Sequence, residues 1–424
     1  MNRFDVVIIG AGAAGLAAGR ALSGAGKRVC ILEARDRIGG RVSTLHLPDL
    51  PLPIELGAEF IHGESETTFS IVDAAALTAM QLPDDHWWSR EGEFECIDDF
   101  WGLIDSVRAK IGARKHDLSF ADFLRSRRGL SPRTRELARM FVEGYHAAHA
   151  DRMSALALRT ADQEQEEDDG SGNRQFRLAG GQDALLDWLR SGFDPERIDL
   201  RLGAIVTHVQ WAQRAVTIEY HTRQSTERIR ASAVILTIPI AVWKEGSITF
   251  DPPLREKEDA LAKIEAGHVV KIAFRFRERF WRDVNFVHTD DRFMPTWWTS
   301  SPARSPILTG WAGGPAADAL LVEGTEAMID RGLDALSRAW GEPRRRIDSL
   351  LAGTFTHDWQ RDPFSRCAYS YAAVGGSGAH DALAKPLRRT LFFAGEATSG
   401  DQTGTVAGAI ESGRRAAREL LKSE

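Results

Sequence analysis

Residues 5–33 constrain what this 424-residue chain can fold into more than any other stretch. Asp5-Val6-Val7-Ile8-Ile9 is a short apolar, β-branched run of the kind that is buried on both faces of a parallel sheet. Gly10-Ala11-Gly12-Ala13-Ala14-Gly15 follows at once, and small and apolar residues at helical spacing then run from Leu16 to Ala25, closed by Gly26. A second apolar run, Arg28-Val29-Cys30-Ile31-Leu32, ends in Glu33. Strand, glycine-rich turn, helix, strand and acid stand in the order that a dinucleotide site needs. Gly10 permits the tight turn, Gly12 lets backbone N–H groups approach a pyrophosphate, and Gly15 lets the helix close on the strand. The helix N-terminus offers partial positive charge to phosphates. Glu33 suits the two hydroxyls of an adenosine ribose and would repel a 2′-phosphate.

Two further segments carry the same theme. After Glu33 the chain reads Ala34-Arg35-Asp36-Arg37-Ile38-Gly39-Gly40-Arg41-Val42-Ser43-Thr44, and the planar fork of an arginine such as Arg41 can bond two phosphate oxygens at once. Far downstream, Arg389–Ala394 reads as a strand, Gly395-Glu396-Ala397-Thr398 as a turn, and Gly404 opens a helix that continues to Leu421. Small residues at 404, 408, 409, 412 and 413 would let that helix approach a ligand and the sheet closely.

These segments resemble the two separated fingerprints of the FAD-containing amine oxidases, the superfamily of monoamine and polyamine oxidases. The likeness covers nearly the whole chain and is most specific in residues 6–63, 267–281 and 355–418. It implies an α/β protein with a glutathione-reductase-like, FAD-binding Rossmann domain assembled from discontinuous segments (1–77, 174–260 and 362–424). An α+β substrate domain with a mixed sheet (78–173 and 261–361) completes it. Residues 198–218 are expected to form two strands around Val206, and Thr237-Ile238-Pro239 resembles the family's strand-ending element. By this resemblance FAD contacts fall on Gly10, Gly12, Ala14, Gly15, Glu33, Ala34, Arg35, Gly40, Arg41, Gly57, Ala58, Glu59, Val206, Gly395, Glu396, Thr405 and Val406.

The residues expected to face the reacting end of the flavin are Lys271, Tyr369, Trp359 and Thr405. Strand alternation puts Val269, Lys271 and Ala273 on one face, and a lysine there calls for a partner. The resemblance implies that it holds a water at flavin N5. In monoamine oxidases a cysteine bonded to the flavin immediately precedes a tyrosine of the substrate cage. Here Ala368 precedes Tyr369 and Cys367 lies one residue earlier, so the flavin is expected to be non-covalent. Thr405 stands where the second cage aromatic would be. Phe60 replaces the arginine that holds the substrate carboxylate in L-amino-acid oxidases, which argues against α-amino acids. Ile61-His62-Gly63 resembles the polyamine oxidases, and His62 is a candidate substrate contact. The acidic run Asp162–Asp169, with Glu166, reads first as a solvated loop and second as a lure for polycations. Trp87-Trp88, Trp297-Trp298 and Trp311 read as core or as the lining of an apolar tunnel.

The expected reaction is oxidation of an amine at its α-carbon by hydride transfer to flavin N5, giving an imine and, with molecular oxygen, hydrogen peroxide. A primary amine or polyamine is the expected substrate. The alternative is a desaturase or oxidase of a larger apolar metabolite, like the protoporphyrinogen oxidases and carotenoid desaturases. Net charge −6 calls for no nucleic-acid partner, and Cys30, Cys96 and Cys367 show neither a disulfide framework nor a metal-ligand spacing. The chain opens directly in a strand and has no apolar run near the ~20 residues of a membrane helix, so a soluble cytoplasmic protein without a membrane partner is expected. The same opening, with no coiled-coil insertion, argues against a histone demethylase. The particular amine, the oligomeric state and the electron acceptor are not legible.

Overall fold

The computed structural model describes residues 3–112, 116–163 and 173–424. Its first sheet is built around Arg3–Ile9, whose residues Val6 to Ile9 are nearly or wholly buried. Five strands lie parallel in the order Ile198–Arg201, Val29–Leu32, Arg3–Ile9, Thr226–Leu236 and Leu391–Phe393. Alternation sends Val6 and Ile8 into a core with the helices Ala13–Gly24 and Val406–Lys422. Val7 and Ile9 enter a second core with Trp211, Ile218 and Tyr220. A strand covered on both faces has no polar face to spare, which is why its sequence is unbroken apolar.

The early half of Thr226–Leu236 pairs antiparallel with Ala215–His221, which pairs with Ile205–Ala212. Residues 198–218 therefore hold parts of three strands where two were expected. Gly203, at φ +65°, breaks the run, and the short piece before it becomes the edge of the parallel sheet.

The second large sheet has seven strands in the order Leu351–Thr356, Val269–Phe276, Ile307–Gly313, Thr296–Thr299, Phe286–His288, His86–Arg90 and Glu93–Ile97. It is mixed, since Phe286–His288 runs parallel to His86–Arg90 and the other neighbours antiparallel. Along Val269–Phe276 the two faces go to different places, as the alternation requires. Val270, Ile272, Phe274 and Phe276 join a core with Trp297 and Leu336, while Ala273 packs with Ile54 and Ile307 on the other side. A small sheet of Phe60–His62, Gln175–Leu178 and Ala79–Gln81 completes the region near the site. No helix among the described residues is long and apolar enough to cross a membrane.

Helix Ala13–Gly24 is gripped from both sides at backbone distance. A Cβ on Gly15 would stand 1.9 Å from the Gly10 carbonyl oxygen, and one on Gly413 would stand 2.1 Å from that of Ala14. Gly413→Ala should therefore force the two helices apart and lower stability by roughly 1–3 kcal/mol or more. Urea unfolding measures it; a change below about 0.5 kcal/mol would mean the contact is not tight.

Candidate functional site

A cavity of about 870 Å³ runs from the glycine-rich turn, past Lys271, to an aromatic wall. The turn supplies its first end. Gly10 takes φ +105°, and a Cβ there would meet the Thr237 hydroxyl at 2.5 Å. Gly12 caps helix Ala13–Gly24, whose free N–H groups face anions by default. Gly395, at φ +121°, has open space where a Cβ would be, and it too lines the cavity. Gly10, Gly12, Ala14, Glu33, Ala34, Arg35, Gly40, Arg41, Val206, Glu396, Thr405 and Val406 all lie on this one wall. Gly15 does not; its work is the helix contact already described. These residues fit a dinucleotide: glycine cradles, a helix N-terminus and an acid, in one continuous hollow.

The side chains at this end are already anchored. Glu33 accepts from the Ala11 N–H at 2.7 Å and the Arg35 N–H at 2.9 Å. Arg41 donates through Nη1 to the Ala368 carbonyl at 2.7 Å and to Glu396 Oε1 at 3.0 Å. Glu396 Oε2 accepts from the Ser370 hydroxyl at 2.7 Å. Thr405 lines the cavity and also caps helix Val406–Lys422, its hydroxyl oxygen accepting from the Gly408 N–H at 2.9 Å. A Cβ on Gly57 would stand 1.9 Å from the Arg41 carbonyl; contact with the main chain of that loop is enough to require a glycine there.

Lys271 has a partner, and it is Glu59. Lys271 Nζ lies 2.6 Å from Glu59 Oε2 and donates to the Gly57 carbonyl at 3.1 Å. Glu59 Oε1 accepts from Arg177 Nη2 at 2.8 Å and from Trp298 Nε1 at 3.1 Å. Burial alone would push the Glu59 carboxyl up, but Lys271 and Arg177 outweigh it and hold it below the ordinary value. Glu59, expected as a cofactor contact, thus also joins three elements: Phe60 to His62 after it, Arg177's strand and Lys271's strand. Ala58 lies beside it on the cavity wall.

Trp359 is buried and donates to the Leu56 carbonyl at 3.0 Å. Tyr369 lines the cavity and donates its hydroxyl to the Tyr145 carbonyl at 2.7 Å, and burial keeps the phenol protonated. Phe60 packs edge-on against Trp298 at 5.3 Å between ring centres and against Phe286 at 6.0 Å. His62 lies edge-on to Tyr145 at 5.1 Å. The tryptophans divide: Trp298 and Trp311 line the cavity, whereas Trp87, Trp88 and Trp297 are packed in cores. Glu166 and most of the acidic run lie outside the described residues.

Sequence reasoning missed Tyr145, His146 and Arg108, all on the cavity wall. Tyr145 ends a π-helical turn, Phe141–Tyr145, which follows the helix Pro132–Met140. Such turns are frequent at functional sites, but an inserted residue of this kind leaves no periodic trace in a sequence.

Residues 13–421 match the family described as flavin containing amine oxidoreductase. Polyamine oxidase 4 of Oryza sativa subsp. japonica is 27% identical over 99% of this chain and 88% of that protein. Lysine-specific histone demethylase 1 homolog 3 of Arabidopsis thaliana is 28% identical over 98% of this chain, and homolog 2 is 27% identical. The chain spans only 30% and 58% of those two proteins. Among solved structures, wild-type putrescine oxidase bound to putrescine superposes with a TM-score of 0.83 at 22% identity, covering 99% of each chain. Cyclohexylamine oxidase from Brevibacterium oxydans IH-35A gives 0.82 at 20% identity, again over 99% of each. These structures share the fold.

Two expectations follow from the buried groups. Glu59→Leu strands Lys271 and Arg177 in a dry wall and should lower stability by about 3–5 kcal/mol. A loss under 1 kcal/mol in urea unfolding would show that the cations find other partners. His62, pushed by burial from an ordinary 6.5 to about 4, is neutral in the folded protein. The unfolded chain binds the extra proton first, so this share of stability is present above pH 6.5 and is lost as pH falls toward 4. His62→Phe should narrow the stability gap between pH 7 and pH 4.5 by roughly 1–2 kcal/mol; an unchanged gap would refute the assignment.

Proposed function

We propose that this chain, which belongs to the flavin-containing amine oxidoreductase family, is an FAD-dependent oxidase of a primary amine or polyamine. The observation that carries the reading is the continuity of one cavity from the glycine-rich turn to Lys271 and the aromatic wall. Gly12, Ala14, Glu33 and Arg41 would hold the adenosine and pyrophosphate of FAD, and Gly57, Ala58 and Val406 would lie toward its ring system. When bound it supplies a hydride acceptor for the amine α-carbon, and molecular oxygen, reduced to hydrogen peroxide, returns it to the oxidised state. The Rossmann domain is then made of 1–77, 174–260 and 362–424, and the substrate domain of 78–173 and 261–361.

The protein's own residues have three tasks. The first is to keep the amine neutral, because only the free base can give up a hydride. Trp359, Tyr369, Phe60 and Trp298 offer apolar surface that disfavours an ammonium at the reacting end. The second task is electrostatic. Lys271 brings positive charge to the cavity wall; together with Arg177 it exceeds the single charge of Glu59, so the cluster stays cationic. Such charge favours electron transfer to oxygen. The third is to leave the cofactor unattached. Cys367 is wholly buried, and burial pushes its thiol up, away from the reactive thiolate. Ala368, which lines the cavity beside it, has no nucleophile to offer.

Anaerobic bleaching of the bound flavin by a panel of amines tests the activity. Bleaching by at least one amine, with peroxide on admitting air, is expected. Silence across the panel, with the flavin still reducible by dithionite, would overturn it in favour of dehydrogenation of a larger apolar metabolite. Lys271→Met should slow reoxidation by oxygen tenfold or more while amine reduction persists; an unchanged reoxidation rate would remove the role given to Lys271.

A further inference from the structure

One stretch of the cavity wall leads from Lys271 to the surface through a row of rings. Lys271 Nζ lies 5.7 Å from the centre of the Trp298 ring, and Phe60 meets both Trp298 and Phe286 edge-on. Phe286 in turn stacks on His86, with ring centres 4.9 Å apart. His86 and His288 both line the cavity and are almost wholly buried. His86 Nδ1 and His288 Nε2 are 2.9 Å apart, so one imidazole donates to the other. The two rings are parallel to within 2°, and Phe100 stacks on both, 4.2 Å from His86 and 5.1 Å from His288. Beyond His86 stands Asp84. Its Oδ1 accepts from Trp101 Nε1 at 3.0 Å and lies 3.3 Å from His86 Nε2, so that a small turn of the carboxylate would align a hydrogen bond. The Asp84 side chain is 65% exposed, and the row therefore ends in water.

Charge fixes which way the protons of this row point. Asp84, held below the ordinary carboxyl value by His86 and then Trp101, is an anion and draws the His86 proton to Nε2. His86 Nδ1 is then the acceptor and His288 Nε2 the donor, which leaves His288 Nδ1 with a free lone pair. Burial, with His86 and Arg133, keeps His288 neutral. Arg133 comes from the helix Pro132–Met140, lies over the Trp88 ring at 4.2 Å and pairs with Glu95 at 3.6 Å. Asp85, next to Asp84, accepts from Trp87 Nε1 at 2.9 Å. The other acids of the cavity are placed differently. Glu33, Glu59 and Glu396 are held by backbone N–H groups, by Lys271 with Arg177, and by Arg41 with Ser370. Glu64, Glu66 and Asp401 are exposed and meet water directly, and Glu164 to Asp169 lie outside the described residues.

Resting on the amine-oxidase reading, we infer that His288, His86 and Asp84 form a proton relay between the substrate amine and solvent. A primary amine comes from neutral water as an ammonium ion and reacts only as the free base, so one proton per turnover must cross the dry part of the cavity. An N–H bond of the ammonium breaks and its proton joins His288 Nδ1. The Nε2 proton of His288 passes to His86 Nδ1, and the Nε2 proton of His86 passes to Asp84 and then to water; no electrons change hands. That proton is needed again when oxygen is reduced. The hydride taken from the amine brings two electrons and one of the two protons of hydrogen peroxide. The second returns along the same row in reverse, which restores both imidazole tautomers.

Glutamine donates and accepts much as a neutral imidazole does but cannot hand a proton through its side chain. In the purified holoenzyme, His288→Gln and His86→Gln should each slow anaerobic flavin reduction tenfold or more at pH 7.5. The probe is benzylamine, 1,4-diaminobutane or whichever primary amine of the panel bleaches the flavin fastest. Near pH 10, where a large share of the amine is already free base, the deficit should shrink to within about threefold. A purely structural role would leave the deficit unchanged at the higher pH, and that result would overturn the relay. Undiminished rates at pH 7.5 would overturn it as well, sending the proton out past Glu64, Glu66, Asp401 or the acidic run. Nitrogen-15 NMR of the unmodified holoenzyme reads the tautomers without turnover. Protons on both Nε2 atoms are expected, and a proton on His288 Nδ1 would overturn the inference while leaving the amine-oxidase reading intact. A flavin that dithionite bleaches and no amine does would overturn that reading, and the relay with it.

Discussion

The carboxylate of Glu59 is the interaction on which the arrangement of the site depends. It takes an ammonium, a guanidinium and an indole N–H, each from a different stretch of chain, and none of them in contact with bulk water to any large extent. A single anion among two buried cations is stable only as a set, because removing any member leaves the others unpaired in low dielectric. The set fixes how the strand carrying Lys271 faces the loop of Gly57 and Ala58, and how Trp298 and Phe60 meet. Shape and charge of the cavity are therefore one problem. The wall that gives the cavity its shape is the same wall that sets two buried cations around one carboxylate.

How much of this could be read from residue order depended on how local the cause was. The turn Gly10–Gly15 and the double glycine Gly39-Gly40 act through backbone geometry within a few residues, and the structure puts them where that geometry demands. The alternation in Val269–Phe276 was equally legible, since period-two patterning is enforced by the pleat. It announced that Lys271 needed a partner but not which one. Glu59 lies 212 positions away and reads, locally, as one acid in a loop. Thr405 lines the cavity and at the same time accepts from the Gly408 N–H as the cap of the final helix, a second use that the resemblance alone did not announce. Tyr145, which closes the π-helical turn, and His146, which caps it, were invisible because such a turn shifts side chains off the 3.6-residue pattern on which helix faces are judged; Arg108 ends the separate helix Phe100–Arg108, and nothing local marks it as facing the cavity.

The two large sheets divide the labour. The parallel sheet ends in tight turns with open main-chain groups, which suit phosphates and the rim of a planar ring. The mixed sheet presents bulky aromatic and paired charged side chains to the cavity, Trp298, Trp311 and Lys271 among them. The family includes proteins of differing activity, polyamine oxidase and histone demethylase homologues among the relatives.

The grip of helix Val406–Lys422 on helix Ala13–Gly24 has a consequence for how the molecule is made. The cavity wall needs Gly395, Glu396 and Val406 as well as Gly10 and Gly12, and the edge strand Leu391–Phe393 pairs with a strand begun more than 150 residues earlier. On a ribosome the glycine-rich turn emerges first and waits for almost the whole remaining chain before its hollow has a second side. Until then the face of that helix that will meet the final helix has no cover, although Leu185, Leu186 and Leu189 already pack in the same core, a liability that chaperones would have to bridge. Arrival of the final helix, with Val406 at its start, closes the hollow that the first turn opens.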